Sequence, residues 1–246
     1  QKLWKIIVPS HFVRKELLED IRDKRYEIGD KEKIVVIPHG YDEKYKRYEI
    51  RDKYFENINK ILTKYNIERP FVLSVGRLEE KKNTVRIIEA FGRYRIQNAD
   101  SRMQLVLIGL GGYGYEKVKR AIEASKFKSD ILELGYVNAE DLPYIMNAAE
   151  VFVCPSLYEG FGLPILEAMA CGAPVIASRG SALEEVGGDA CVYVDATDID
   201  EIASAMKRLS QDQALRKQLI EKGMERVKKY SWGKSASETA RLLEIV

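Results

Sequence analysis

Short apolar runs alternate with longer amphipathic stretches over nearly all of the 246 residues. The apolar runs are rich in β-branched residues and mostly end at Gly, Pro or Ser, as strands do. They predict eight strands, at Lys5–Val8, Lys33–Ile37, Phe71–Val75, Leu105–Ile108, Ile131–Leu134, Val151–Cys154, Val175–Ala177 and Cys191–Val194.

The stretches between these strands repeat their apolar residues at helical spacing. They predict eight helices, at about Phe12–Asp20, Thr84–Ile96, Tyr115–Ser125, Glu140–Ala149, Pro164–Ala170, Asp200–Leu209, Ala214–Lys229 and Ser235–Ile245. Strands that alternate with helices form crossover units, and such units build a parallel sheet covered by helices on both faces. The predicted fold class is therefore α/β, with a doubly wound parallel sheet.

The loops after the strands are the expected ligand site, because the carboxyl ends of parallel strands share one edge of the sheet. Five of these loops are rich in glycine, and several carry charge, as a phosphate site needs. They read VIPHGYD, SVGRLEEKKN, LIGLGGYG, LGYVNAED and CPSLYEGFGLP.

The last of these loops leads into a helix with the features of an anion site. Pro164 suits the first turn, where a missing N–H is no loss. Gly160 and Gly162 let a ligand approach the backbone closely. The free amides from about Phe161 to Ile165 are expected to point outward from the helix N-terminus, where the helix dipole favours negative charge.

Two carboxylates flank this anion site, with Glu159 before it and Glu167 about one turn into the helix. Carboxylates accept hydrogen bonds from neutral hydroxyls, so they suit a sugar better than a phosphate. The alternative interpretation is a tight strand-to-helix turn with two solvated glutamates.

A second loop favours the ligand site over that alternative. Arg77 and Lys82 follow a buried strand that ends at Gly76, and a helix starts after them. Two cations at a helix start on the same edge would hold a diphosphate. As an alternative, both are ordinary surface cations.

Charge and cysteine content narrow the function classes. Lys and Arg number 40 against 38 Asp and Glu, so the chain offers no strong field for nucleic acid. The charged stretch from Asp42 to Lys64 interleaves acids with bases, and we interpret it as a solvated face. The three cysteines lack metal-type spacing and are expected to be buried free thiols.

Other candidate groups receive ordinary structural interpretations. Asp198 and Asp200 form a D-x-D pair, but carboxylates in the first turn of a helix need no metal. His11 and His39 lack partners at ligand spacing. Trp232 is expected to pack rather than to stack on a base.

The same loops, in their order along the chain, resemble the C-terminal domain of glycosyltransferase family 4 (group 1), a retaining group with the GT-B fold. The matching segments include SVGRLEEKKN, LVLIGLGG, EGFGLPILEAMACGAPVIAS and a terminal YSW, within about residues 33–232. The resemblance implies the Rossmann-like C-terminal half of a GT-B fold. It also implies a retaining, metal-independent enzyme that transfers a sugar from a nucleoside diphosphate to an acceptor hydroxyl.

The resemblance further implies roles for individual residues. Arg77 and Lys82 would hold the diphosphate and stabilise the leaving group, and Glu159 would contact the donor sugar as the third catalytic group. Glu167 would bind the ribose hydroxyls. The remaining donor-binding positions would be backbone groups of Gly160, Phe161, Gly162 and Leu163, the base-site residues Tyr136 and Val137, and the cleft glycines Gly76, Gly109 and Gly111.

Three loops depart from the family pattern. His39 stands where Asn is common, so the contacts of that loop stay open. Leu110 and Gly112 change the usual Gly-x-Gly-Pro pattern, and Glu184 stands where Pro is common. None of these changes alters the main site.

The chain begins at Gln1 almost inside a strand, so we expect it to start partway through a larger protein. Residues 1–28 are then expected to be the end of an N-terminal acceptor domain, residues 29–232 the nucleotide-sugar-binding domain, and residues 233–246 a helix that crosses back. The expected partners are a UDP-, GDP- or ADP-sugar donor, a glycan, lipid-linked or small-molecule acceptor, and an acceptor domain or partner chain, but no nucleic acid. No metal or other cofactor is expected.

Two other functions stay open: a non-catalytic nucleotide-sugar-binding module, and one subunit of a split glycosyltransferase. The setting of Glu159 and Glu167 argues against a GT-B-fold epimerase or phosphorylase. No apolar run reaches the ~18 residues of a membrane helix. We expect a cytoplasmic location, and attachment to the cytoplasmic face of a membrane stays open.

Overall fold

The computed structural model describes residues 5–23, 33–48 and 53–244. Each of the eight predicted strands is present there, with each end within one residue of the prediction. The strands are β1 Ile6–Val8, β2 Ile34–Val36, β3 Phe71–Val75, β4 Gln104–Ile108, β5 Ile131–Gly135, β6 Val151–Cys154, β7 Val175–Ser178 and β8 Cys191–Val194.

The helices of the described ranges connect and follow these strands. They are α1 His11–Asp23, α2 Lys53–Lys64, α3 Thr84–Gln97, α4 Tyr115–Ala124, α5 Leu142–Ala148, α6 Leu163–Ala170, α7 Ala182–Gly187, α8 Ile199–Gln211, α9 Gln213–Val227 and α10 Trp232–Glu244. Two single turns of 3-10 helix, Lys128–Asp130 and Gly188–Ala190, precede β5 and β8.

Two of these helices, α2 and α7, were not predicted. Residues 42–64 were interpreted as a solvated face, and Glu56 and Lys60 of α2 are exposed, but Ile58 and Leu62 of the same helix are buried in the core. Closely interleaved charges hid this apolar face in the sequence. Helix α7 has six residues, too few for a periodic pattern, and its start is marked by the cap of Ser181 on the Leu183 amide.

Six strands form one parallel sheet in the order β5-β4-β3-β6-β7-β8. The chain runs outward from β3 to β5, returns to the middle at β6, and then runs outward to β8 on the other side. The strand order therefore reverses between β3 and β6, and a crevice opens beyond the carboxyl ends of these two neighbours. The loops after β3 and β6 are the ones that line it.

Strands β1 and β2 do not join this sheet. They pair with each other in a separate two-stranded parallel sheet, with α1 packed on it around Val8, Ile21 and Ile34. Helix α1 in turn contacts α7 of the larger unit. The sequence-based division had placed β2 with the later strands, and the boundary at residues 28 and 29 lies outside the described residues.

Two apolar cores cover the two faces of the six-stranded sheet. Neighbouring strand residues alternate between them, so Leu73 and Phe152 enter one core while Val72 and Val153 enter the other. The three cysteines are buried and free, as predicted. In the described part of the chain, no helix is long and apolar enough to cross a membrane.

Candidate functional site

The loops after β3 and β6 are joined directly at the crevice. Leu157 N–H donates to the Lys81 carbonyl at 2.9 Å, and the Asn83 side-chain amide donates to the Pro155 carbonyl at 2.9 Å. The same amide also donates to the Ala196 carbonyl at 2.6 Å, which adds the loop after β8. Asn83 is buried and has a left-handed backbone with φ 62°, a conformation that Asn tolerates better than most residues.

This joining brings Lys82 and Glu159 into direct contact. The Lys82 ammonium lies 2.5 Å from Glu159 Oε1, and Ser156 Oγ donates to the same oxygen at 2.9 Å. Ser156 is itself held, because the buried Ser178 hydroxyl donates to the Ser156 carbonyl at 2.6 Å. The other carboxylate oxygen, Oε2, has no donor among the described residues, so it is free to accept a hydrogen bond from a ligand.

The loop after Glu159 supplies a run of unused backbone donors. In the part of the chain that the structure describes, the amides of residues 160–163 find no acceptor. Gly162 precedes α6 with φ 102° and no side-chain cap. Since Pro164 lacks an N–H, these amides are the donors at the start of α6, and they favour an anion there.

A pair of glycines brings the neighbouring loop close to this cluster. Gly76 and Gly109 have φ near +146° and +145°, and a Cβ on Gly109 would overlap the Gly76 carbonyl oxygen. The aliphatic part of Lys82 lies against Gly76, with Cε 3.6 Å from the position a Cβ would take. The overlap at Gly109 and the positive φ of both residues therefore favour glycine at the two positions beside Lys82.

Two other predicted residues line the same edge without joining the ion pair. Arg77 is exposed and has no ion pair within residues 5–23, 33–48 and 53–244. Gly111 is exposed and bridges Leu78 of the loop after β3. The edge therefore presents a second cation that no carboxylate of the described residues neutralises.

Glu167 faces a different neighbourhood, the segment between β2 and α2. It is partly buried, and this burial raises the pKa of its carboxyl to about 7, against the opposing effect of the Lys44 ammonium. Lys44 itself lies 3.4 Å from Asp42 and 3.6 Å from Glu140. Burial, with Glu167 as a further cause, also raises the pKa of Tyr45. The two glutamates thus lie in separate charge environments. Glu159 contacts Lys82, whereas Glu167 is influenced by Lys44 and Asp42 without an ion pair to Lys44 among the described residues.

The two residues predicted at the base site differ sharply in exposure. Tyr136 is 74% exposed, whereas the Val137 side chain is buried in the core. The Tyr136 ring is therefore available to a ligand, whereas only a small part of Val137 is exposed.

Asp198 and Trp232 have the ordinary structural roles expected of them. Asp198 caps α8, because its Oδ1 accepts from the amides of Asp200 and Glu201 at 2.9 Å each. Trp232 packs on His39 with ring centroids 5.4 Å apart, and burial lowers the pKa of His39. Among the residues described, no group of three or more His, Cys, Asp or Glu side chains could hold a metal ion.

Sequence reasoning missed the residues that hold the site in place: Ser10, Asn83, Ser156 and Ser178. Ser156 and Asn83 stand inside the quoted loops, and a buried polar residue beside a candidate ligand site is the signal that could have found them. Ser10 and Ser178 carry no such signal, because their partners lie 150 and 22 residues away in the chain.

Comparison with known proteins shows which family the chain is similar to. The model of the family described as "Glycosyl transferases group 1" matches residues 56–226. A curated relative, the O-antigen chain mannosyltransferase B of Escherichia coli, is 36% identical over 189 residues, which are 76% of this chain and 49% of that protein. The chain spans about half the length of this relative.

Solved structures share the fold of the chain over nearly its whole length. Sucrose-phosphate synthase from Thermosynechococcus elongatus has a TM-score of 0.76 at 26% identity and covers 97% of this chain and 57% of its own. Alr3699/HepE from Anabaena, solved in complex with UDP and glucose, has a TM-score of 0.83 at 20% identity and covers 98% of this chain and 63% of its own. The similarity shows that the six-stranded unit has the α/β fold of these proteins.

Proposed function

The chain belongs to the family of group 1 glycosyl transferases, and from that membership we propose that it is the donor-binding part of a retaining, metal-independent glycosyltransferase. The observation that carries the proposal is the switch-point cluster, which we define as Lys82, Glu159 and the free amides of residues 160–163. Amides and a cation bind a diphosphate, and a free carboxylate oxygen binds a sugar hydroxyl. A nucleoside diphosphate sugar offers both groups in one molecule.

The donor would lie along the edge of the sheet with its diphosphate at the switch-point cluster. Its ribose hydroxyls would donate to Glu167, the other carboxylate of α6. Its base would lie on the loop after β5, between the exposed Tyr136 ring and the backbone of Val137. Gly109 and Gly111 would line the same cleft.

In the chemical step, the bond between the anomeric carbon of the sugar and an oxygen of the β-phosphate breaks. The oxygen of the acceptor hydroxyl bonds to that carbon, and the hydroxyl proton passes to the departing diphosphate. Negative charge then develops on the leaving diphosphate, where Arg77, Lys82 and the amides would stabilise it. Glu159 Oε2 would hold a hydroxyl of the sugar during this step. These fixed positive groups support a reaction that needs no metal, and the resemblance of the motifs supports retention at the anomeric carbon.

The proposed donor and acceptor are given by chemical class. UDP, GDP and ADP sugars are all candidates, and a mannose donor comes first because the E. coli relative is named a mannosyltransferase. The acceptor would be a glycan, a lipid-linked sugar or a small molecule. We propose that a further acceptor-binding domain or partner chain completes the site, and that the protein acts in the cytoplasm or at the cytoplasmic face of a membrane.

Thermal unfolding of this chain with UDP, GDP, ADP and their sugars tests the donor site. We expect one base to raise Tm, since a ligand at 100 times its Kd adds about 2.7 kcal/mol to the free energy of unfolding. A chain that responds to none of these nucleotides would contradict the proposal.

Transfer is tested with the natural protein, together with the acceptor-binding domain or partner chain proposed above. We expect transfer from the selected donor in the presence of EDTA, and NMR of the product should show the same anomeric configuration as the donor. Loss of activity in EDTA that added metal restores would contradict metal independence, and an inverted product would contradict retention.

A further inference from the structure

Ser10 connects the start of the chain to the candidate donor loop. It is fully buried, and its Oγ donates to the Gly160 carbonyl at 2.7 Å. The same oxygen accepts from the Val13 amide at 3.2 Å, which makes Ser10 the cap of α1. One hydroxyl therefore caps the start of a helix and holds a loop 150 residues away.

The hydrogen bond from Ser10 to the Gly160 carbonyl also fixes the Phe161 amide, which belongs to the same peptide group. A trans peptide is planar, and its N–H points opposite to its C=O. Because Ser10 holds the Gly160 carbonyl, the Phe161 amide must point away from α1. The preceding peptide is fixed in the same manner, since the Glu159 carbonyl accepts from the Ala182 amide of α7 at 3.3 Å.

Helices α1 and α7 form a common wall behind these two carbonyls. The Glu185 carboxylate of α7 accepts from the His11 and Phe12 amides at the start of α1, at 2.9 and 3.0 Å. Both carbonyls point toward this wall, so the Gly160 and Phe161 amides point away from it. Neither amide has an acceptor among the described residues.

We infer that Ser10 is a positioning residue whose hydroxyl orients the Phe161 amide, beside the Gly160 amide that the Ala182 contact orients, to donate to the diphosphate of the sugar donor. This inference rests on the proposed function, which places the diphosphate at these amides. The position needs a group that donates and accepts at once, because the Val13 amide and the Gly160 carbonyl meet at one atom. Serine and threonine can do this, whereas glycine and alanine cannot.

Ser10→Gly removes the hydroxyl at little cost to the helix, because glycine is a tolerated cap residue. Asp212→Gly is the matched control, since Asp212 caps α9 through the Leu215 amide and has no described contact with the loop after β6. Isothermal titration measures two probes on each protein: the nucleoside diphosphate selected by the thermal panel, and the free nucleoside of the same base.

We expect Ser10→Gly to weaken diphosphate binding about tenfold, the scale of a hydrogen bond to a charged group, while nucleoside binding stays unchanged. Asp212→Gly should change neither affinity, and Ser10→Thr should restore most of the diphosphate affinity. Equal losses for nucleoside and diphosphate would show a general structural role and overturn the inference. Unchanged diphosphate binding in Ser10→Gly would overturn it as well, whereas a wild-type chain that binds no nucleotide would contradict the proposed function itself.

Discussion

The Lys82 ammonium lies 2.5 Å from the Glu159 carboxylate, although the two residues are 77 positions apart in the chain. Both groups are mostly shielded from water, with side-chain exposures of 24% and 9%. Lys82 is therefore partly neutralised before any ligand arrives. A diphosphate that binds at Lys82 must compete with Glu159 for it, and the competition can be measured.

Glu159→Gln is expected to tighten the binding of a nucleoside diphosphate that carries no sugar. The substitution removes the negative charge that competes for Lys82 and keeps the shape of the side chain. We expect a gain of about threefold to tenfold in affinity by titration calorimetry, which corresponds to roughly 1 kcal/mol. In the full natural polypeptide, transfer should fall at the same time, because Oε2 no longer accepts from the sugar as a carboxylate.

Lys82→Met should have the opposite effect on the same probe. It removes the cation, and transfer should fall by ~100-fold or more, the scale of losing one group that stabilises a developing anion. Lys81→Met is the matched control, because the neighbouring Lys81 ammonium lies over the Tyr158 ring and outside the cluster. Near wild-type transfer in Lys82→Met, or an equal loss in Lys81→Met, would contradict the role of Lys82.

Much of this site could be predicted from local sequence. Lys82 and Glu159 are both predictable as site residues, because each stands in a polar loop after a buried strand and parallel strands end at one edge. Their direct contact was not predictable, since it depends on β3 and β6 being neighbours. Strand order arises from packing over the whole chain. For the same reason, local patterns did not show that β1 and β2 form a sheet of their own.

Glu167 is expected to make stability depend on pH. Its pKa of about 7 in the folded chain is above the ordinary 4.5, so the fold favours the protonated form. The contribution of Glu167 to the free energy of unfolding is therefore fully present below about pH 4.5 and is lost as the pH rises through 7. Urea unfolding at pH 5 and pH 8 should show a decrease of about 2 to 3 kcal/mol from this group. Glu167→Gln should abolish that part of the decrease, and an unchanged pH profile in the variant would contradict it.

Nucleotide binding should strengthen as the pH rises and Glu167 loses its proton, although stability falls over the same range. Only the carboxylate form of Glu167 accepts hydrogen bonds with both oxygens, so affinity for ribose hydroxyls should grow as the proton leaves. Between pH 6 and pH 8 we expect nucleoside binding to tighten about tenfold, because the ionised fraction rises through a pKa near 7. Glu167→Gln should bind equally at both pH values. Equal pH dependence in the two proteins would place the ribose elsewhere.

Ser156→Ala should weaken the site without unfolding the chain. Ser156 and Lys82 donate to one oxygen of Glu159, so the loss of the hydroxyl leaves the carboxylate with a single protein donor. We expect transfer in the full natural polypeptide to fall about tenfold, and the free energy of unfolding to fall by about 1 kcal/mol. Ser178→Ala is the comparison, because it breaks a buried bond one step farther from Glu159. A larger loss of transfer in Ser178→Ala than in Ser156→Ala would contradict the order of this chain of contacts.

Gly109→Ala is expected to disrupt the edge of the sheet on which the cluster depends. The added Cβ would overlap the Gly76 carbonyl oxygen, and φ of +145° is a conformation that alanine rarely adopts. Backbone overlap cannot be relieved by a rotamer change, so we expect a loss of about 3 kcal/mol or more in urea unfolding. Gly92→Ala is the matched control within α3, where a Cβ meets nothing within 4 Å. There the same change should stabilise the chain by about 0.5 to 1 kcal/mol, because alanine suits a helix better. Equal stability of the two variants would mean that the close approach of Gly76 and Gly109 does not hold the loop that carries Lys82.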